Sequence, residues 1–86
     1  MADDVIWYVY IVECSDERKS LYTGITNDID RRIQQHNEGT GAKFTKGRGP
    51  VTLVKSFTCN SKSEALKLEY HIKQLSREEK LSYEKE

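Results

Sequence analysis

The stretch Val5-Ile6-Trp7-Tyr8-Val9-Tyr10-Ile11-Val12-Glu13-Cys14, followed after a polar break by Ser20-Leu21-Tyr22-Thr23-Gly24-Ile25-Thr26, decides the fold. Both runs are rich in β-branched and aromatic residues, and the polar Ser15 to Lys19 between them is short enough for an antiparallel hairpin. Side chains alternate across a strand, so Tyr8, Tyr10 and Val12 share one face of the first, and Tyr22 and Gly24 share a face of the second. A register that sets Tyr10 near Gly24 brings two phenols together. A glycine inside a strand marks either a bulge or a place where a backbone or a ligand phosphate comes close.

Working outward, Asn27 suits a helix N-cap, Asp28 and Asp30 sit in the first turn where the helix dipole favours acids, and Gly39 can end the helix. At about 100° per residue, Ile29 and Ile33 form the buried stripe, Arg32 and His36 border it one turn apart, and Arg31 points to water. A guanidinium at a core edge can be held firmly and still offer its fork to a phosphate. A plain i,i+4 ion pair between Asp28 and Arg32 is the bland alternative. His36 is equally compatible with a satisfied core-edge histidine.

Gly39 to Pro50 reads as a glycine-rich loop. Residues 51–58 give a third strand, half polar and so suited to a sheet edge. Ser61-Lys62-Ser63-Glu64 and Ser76-Arg77-Glu78-Glu79 are capping-box signatures for a second helix and a short third. In the second helix Ala65, Leu68, Ile72 and Leu75 make the apolar stripe, with Glu69 on its flank. Tyr70 and Tyr83 read as packing residues. The expectation is one α+β domain over residues 1–86, order β-β-α-β-α-α, its core at about 5–75, built on a small three-stranded antiparallel sheet flanked by helices.

Composition narrows the function classes. The chain has 86 residues, 33% charged and 36% apolar, with zero net charge, which suits a folded soluble domain. It shows neither a bilayer-length apolar stretch nor a basic-then-apolar leader, so no membrane role and a cytoplasmic location are expected. Cys14 and Cys59 lie far apart in sequence and read as reduced, partly buried thiols. Charge is unevenly spread: residues 31–55 carry a net five positive charges and residues 1–17 a net five negative. A nucleic-acid backbone responds to such a local field, and Lys43, Lys46 and Arg48 are the candidate phosphate contacts in the loop; a merely solvated basic loop is the alternative.

Glu69 is the candidate metal ligand. A salt bridge to Lys73 is its bland alternative, whereas Mg²⁺ is often held by one or two carboxylates with waters and substrate phosphate completing the shell. A two-metal mechanism needs a cluster of acids that this chain does not show.

Taken together, Tyr8-Val9-Tyr10, Tyr22-Thr23-Gly24, the run Asp30-Arg31-Arg32 to His36, and the glutamate-bearing helix resemble the GIY-YIG nuclease superfamily, in its short stand-alone, UPF0213-like form. The similarity covers about Trp7 to Leu75. It implies metal-dependent hydrolysis of a phosphodiester in DNA with Mg²⁺ or Mn²⁺, in settings such as repair or recombination. It also implies Glu69 as metal ligand, Arg32 as the group neutralising the scissile phosphate, and Tyr10 and Tyr22 as the paired tyrosines. On that reading Tyr10 is the base, with His36 as second candidate because its pKa suits neutral pH. Two departures stand out: Tyr8 occupies the place of the first glycine, and no asparagine follows Asn60. With no second domain, substrate affinity is expected to be weak, structure-selective or dependent on a protein partner for targeting. The alternatives are a non-cutting module that binds nucleic acid or a repair protein, and an adaptor using the third helix.

Overall fold

The first apolar run becomes the middle of the sheet. In the computed structural model, which describes residues 5–85, strands β1 (Trp7–Glu13), β2 (Leu21–Thr26) and β3 (Thr52–Cys59) are arranged β2-β1-β3, and both pairings are antiparallel. The acidic pair Asp3 and Asp4 lies outside the described residues. A strand buried on both faces must be apolar almost throughout, and Val9, Tyr10, Ile11 and Val12 are each 1% exposed or less. The edge expected for the third strand is what β3 occupies, with much of its length exposed.

The faces of β1 have different partners. Val9 and Ile11 pack with Cys59, Ala65 and Ile72, flanked by Trp7, Ile25, Phe57, Leu68 and Leu75, so helix α2 (Lys62–Lys73) covers that side. Tyr10 and Val12 pack with Cys14, Val51, Tyr22 and Ile33, which places helix α1 (Ile29–Asn37) on the other. Helix α3 (Arg77–Ser82) buries none of its residues; Arg77 ties it to Glu13 through a 2.8 Å ion pair. Between Ile11 and Val12 the β3 register slips, Ile11 facing Lys55 and Val12 facing Leu53, so Val54 bulges out unpaired.

Local signals hold with four adjustments. The N-cap of α1 is Asp28, one residue beyond Asn27, because the Asp28 carboxylate accepts from the Arg31 amide at 3.1 Å. Gly39, at φ +86, does end that helix, in the left-handed conformation glycine tolerates best. Ser61 caps α2, yet Glu64 reaches the amide of Asn60 rather than that of Ser61, so only half of the expected box closes. Ser76 and Glu79 form the complete reciprocal box. Tyr83 packs on Phe57 as expected, whereas Tyr70 is 71% exposed, because it falls out of phase with the Ala65-Leu68-Ile72 stripe. Both cysteines are free, and fully rather than partly buried.

Candidate active site

Tyr10 faces Gly24 directly in the hairpin register. The space left by the missing side chain is filled by the Tyr10 ring: a Cβ on Gly24 would meet the phenol oxygen at 2.6 Å and its ring carbon Cζ at 2.8 Å. Gly24 therefore admits a tyrosine rather than a ligand. Held there, the Tyr10 hydroxyl lies 2.8 Å from His36 Nε2 and 3.4 Å from Arg32 Nε. Tyr22, on the same face, sets its ring 6.4 Å from that of Tyr10 and 5.3 Å from that of His36. Its hydroxyl has no hydrogen-bond partner among the described residues.

The one-turn spacing of Arg32 and His36 sends both side chains toward Tyr10. Arg32 does not pair with Asp28. Its guanidinium donates to Gln35 Oε1 at 2.9 Å, to the Gly41 carbonyl at 2.8 Å and, weakly, to the Tyr10 hydroxyl. All three partners are neutral, so the positive charge is oriented without an acidic partner among the described residues. That charge, after burial, is the second cause that pushes the His36 pKa below the usual imidazole value, so the ring is neutral at pH 7. Burial is the largest influence on Tyr10 and raises its pKa, against the lowering effect of Arg32.

His36 is 1% exposed, and its other nitrogen, Nδ1, lies 2.7 Å from the hydroxyl of Thr45, itself 1% exposed. Gly41 packs against the same imidazole, where a Cβ would come within 2.6 Å of Nδ1. Thr45 and Gly41 were missed from sequence. Both lie in the Gly39–Pro50 loop, where no periodicity marks which side chain turns inward. Small residues fill most of that loop, so neither position stands out from its neighbours.

The three basic loop residues divide. Lys43 and Lys46 are exposed and form no ion pair among the described residues. Arg48 is committed: it pairs with Asp16 at 2.9 Å and lies 4.6 Å above the Phe44 ring, which stacks on Tyr22. Arg48 thus braces the wall of the site.

Glu69 comes to the neighbourhood of this cluster from another helix. It projects from α2, the helix on the opposite face of the sheet, and pairs with Lys73 at 3.3 Å. It makes no hydrogen bond to the two tyrosines, Arg32 or His36, yet its charge is near enough to contribute to raising the Tyr10 pKa. No group of three or more His, Cys, Asp or Glu side chains able to hold a metal occurs among the described residues. One partly buried carboxylate with no competing protein ligands is still a fitting donor set for Mg²⁺ or Mn²⁺, hard cations that retain waters and take up phosphate oxygens.

Comparison with known proteins identifies the family and the fold. The family model described as the GIY-YIG catalytic domain matches residues 6–82. A UPF0213 protein of Halobacterium salinarum is 55% identical over 85% of this chain and 92% of its own length. One of Staphylococcus saprophyticus is 57% identical over 86% of this chain and 88% of its own. The solution NMR structure of the UPF0213 protein BH0048 from Bacillus halodurans superimposes with a TM-score of 0.52, at 52% identity, covering 87% of this chain and 78% of that one. It shares the three-stranded α+β arrangement.

Proposed function

We propose, from the premise that this chain belongs to the GIY-YIG catalytic-domain family, that it is a metal-dependent endonuclease cutting phosphodiester bonds in DNA. The proposed substrates are branched, nicked or damaged forms, as arise in repair and recombination. The observation that carries the reading is the Arg32 guanidinium. It is fixed by neutral acceptors, has no carboxylate partner among the described residues, and is set against a Tyr10–His36 pair.

In this mechanism a substrate phosphate docks on Arg32, whose charge offsets the negative charge that develops in the transition state. Lys43 and Lys46 hold flanking phosphates without reading sequence. The Arg32–Tyr10 contact is at the long limit of a hydrogen bond, so phosphate recruitment of Arg32 frees a lone pair of the phenol oxygen for the attacking water. Tyr10 takes a proton from that water as its own proton passes to His36 Nε2. The water oxygen bonds to phosphorus, the P–O ester bond breaks, and the departing oxygen is protonated by solvent. Coupling the two transfers matters because a lone phenol, with its pKa raised by burial, cannot remain ionised at neutral pH. Tyr22 shapes the wall, its hydroxyl available to substrate. Glu69 would hold the divalent cation, which supplies Lewis-acid charge to the phosphate oxygens.

The rival reading is a nucleic-acid-binding or repair-protein-binding module that does not cut, and the engagement of Glu69 by Lys73 is the observation in its favour. The test is incubation of single-stranded, nicked and branched DNA with Mg²⁺ or Mn²⁺, comparing the native protein with Arg32→Ala and Glu69→Gln. Cleavage by the native protein, lost in both folded variants, supports the enzyme. Salt-sensitive binding that survives Glu69→Gln without products supports the module.

A further inference from the structure

The buried chain of contacts Tyr10–His36–Thr45–Ala42 permits one arrangement of protons. The Thr45 hydroxyl lies 2.7 Å from His36 Nδ1 and 3.1 Å from the Ala42 carbonyl. The Tyr10 hydroxyl lies 2.8 Å from His36 Nε2, and its remaining neighbour, Arg32 Nε, can only donate. If the imidazole carried its proton on Nε2, that N–H would point at the phenol oxygen. The phenol proton, on a residue 1% exposed, would then have no acceptor among the described residues. An unsatisfied buried O–H is strongly disfavoured. With the proton on Nδ1, every group is paired: Nδ1–H donates to Thr45, Thr45 donates to the Ala42 carbonyl, and Tyr10 donates to Nε2.

We infer that Thr45 is a positioning residue that holds His36 as the Nδ1–H tautomer and so keeps Nε2 free to receive the Tyr10 proton. This rests on the nuclease reading for its consequence, though not for the tautomer itself. The device is local and directional. The hydroxyl of Thr45 can accept from imidazole only because its own proton is taken by a backbone carbonyl, which no side-chain substitution elsewhere replaces. Gly41, where a Cβ would come within 2.6 Å of Nδ1, leaves the room the imidazole needs in this chain of bonds. The tautomer matters because His36 with Nε2 protonated donates to Tyr10 and cannot relieve it of a proton.

The experiment is ¹⁵N NMR of the two histidine rings, with His71→Gln separating the His36 signals, together with cleavage kinetics. The native protein should show a protonated Nδ1 and a bare Nε2 on His36. Thr45→Val, which keeps shape but loses the acceptor, should shift the ring toward the Nε2–H form. It should also lower kcat by roughly a hundredfold, the scale of a lost proton-transfer group, with KM little changed. Thr45→Ser should restore both signals and rate. An Nε2–H ring in the native protein overturns the inference, as does a Thr45→Val protein with native tautomer. Should Thr45→Val fail to fold, the native and Thr45→Ala spectra decide it. If no DNA is cut by the native protein, the nuclease reading falls while the tautomer is still read directly.

Discussion

Gly24 and Tyr10 are register partners whose fit depends on the absence of a methyl group: a Cβ on Gly24 would lie 2.6 Å from the Tyr10 hydroxyl. The two halves of the tyrosine-glycine signature therefore serve one purpose, which is to seat a phenol across the neighbouring strand and deliver it to His36.

Gly24→Ala should accordingly displace the Tyr10 ring, which is 1% exposed and has little room to yield. Overpacking of this kind destabilises by about 1–3 kcal/mol. Urea unfolding should show that loss, and cleavage should fall further than in a surface alanine variant. A native midpoint and native rate would contradict the account.

Glu69 and Lys73 form a partly exposed pair one helical turn apart, with Lys73 side-chain exposure at 51%. Such pairs contribute only about 0.3–0.5 kcal/mol. Glu69→Gln should thus leave stability nearly unchanged while removing the metal-dependent rate. Lys73→Ala should lower the Mg²⁺ concentration needed for half-maximal cleavage, because the carboxylate no longer has a resident cation. A raised requirement in Lys73→Ala would argue against Glu69 as ligand.

Cleavage should decline on the acid side. Burial, then Arg32, depress the His36 pKa below 6.5, so the ring stays neutral and able to accept at pH 7 and loses that ability as pH falls through the depressed value. The stability sign agrees. The unfolded chain protonates first, so the His36 contribution is complete above pH 6.5 and drains away as pH drops toward the folded value. NMR titration of the His36 ring in the native protein beside Arg32→Gln measures this, and the variant's titration should move to higher pH.

Asp16 gives a separate acid response. Its carboxylate accepts from the Ser20 hydroxyl and amide and pairs with Arg48, and its pKa falls from 3.8 to about 2, with the Ser20 hydroxyl bond as the leading cause. A depressed carboxylate stabilises the fold above its ordinary pKa and ceases to do so as pH falls through about 2. Asp16→Asn should lower the melting temperature at pH 7 and narrow the gap from native protein on acidification below pH 3.8, followed by circular dichroism.

The hairpin, its register and the α2 stripe were legible because strand alternation and helical periodicity are local and repeat over many residues. Arg32 could be placed at a core edge for the same reason, whereas His36, expected beside it at that edge, is the buried residue of α1, because Tyr10 and Thr45 satisfy both its ring nitrogens. Thr45 and Gly41 could not: their importance arises from a loop folding back onto His36, and no spacing announces a contact made through irregular backbone. The commitment of Arg48 to Asp16 was hidden likewise, since a basic residue in a basic loop looks the same whether free or held from a distant hairpin. The choice between Asn27 and Asp28 as cap was decided by which carbonyl-bearing side chain meets the Arg31 amide, a difference smaller than propensity can resolve.

The sheet order also bears on how the protein is made. β1 leaves the ribosome before both of its neighbours in the sheet, the second of which is finished only at Cys59. Loop 39–50 and then α2 must emerge before tyrosine, imidazole, guanidinium and carboxylate share one neighbourhood. A translation product broken off before α2 therefore carries both tyrosine motifs, Arg32 and His36, but lacks Glu69 and the covered face of the sheet.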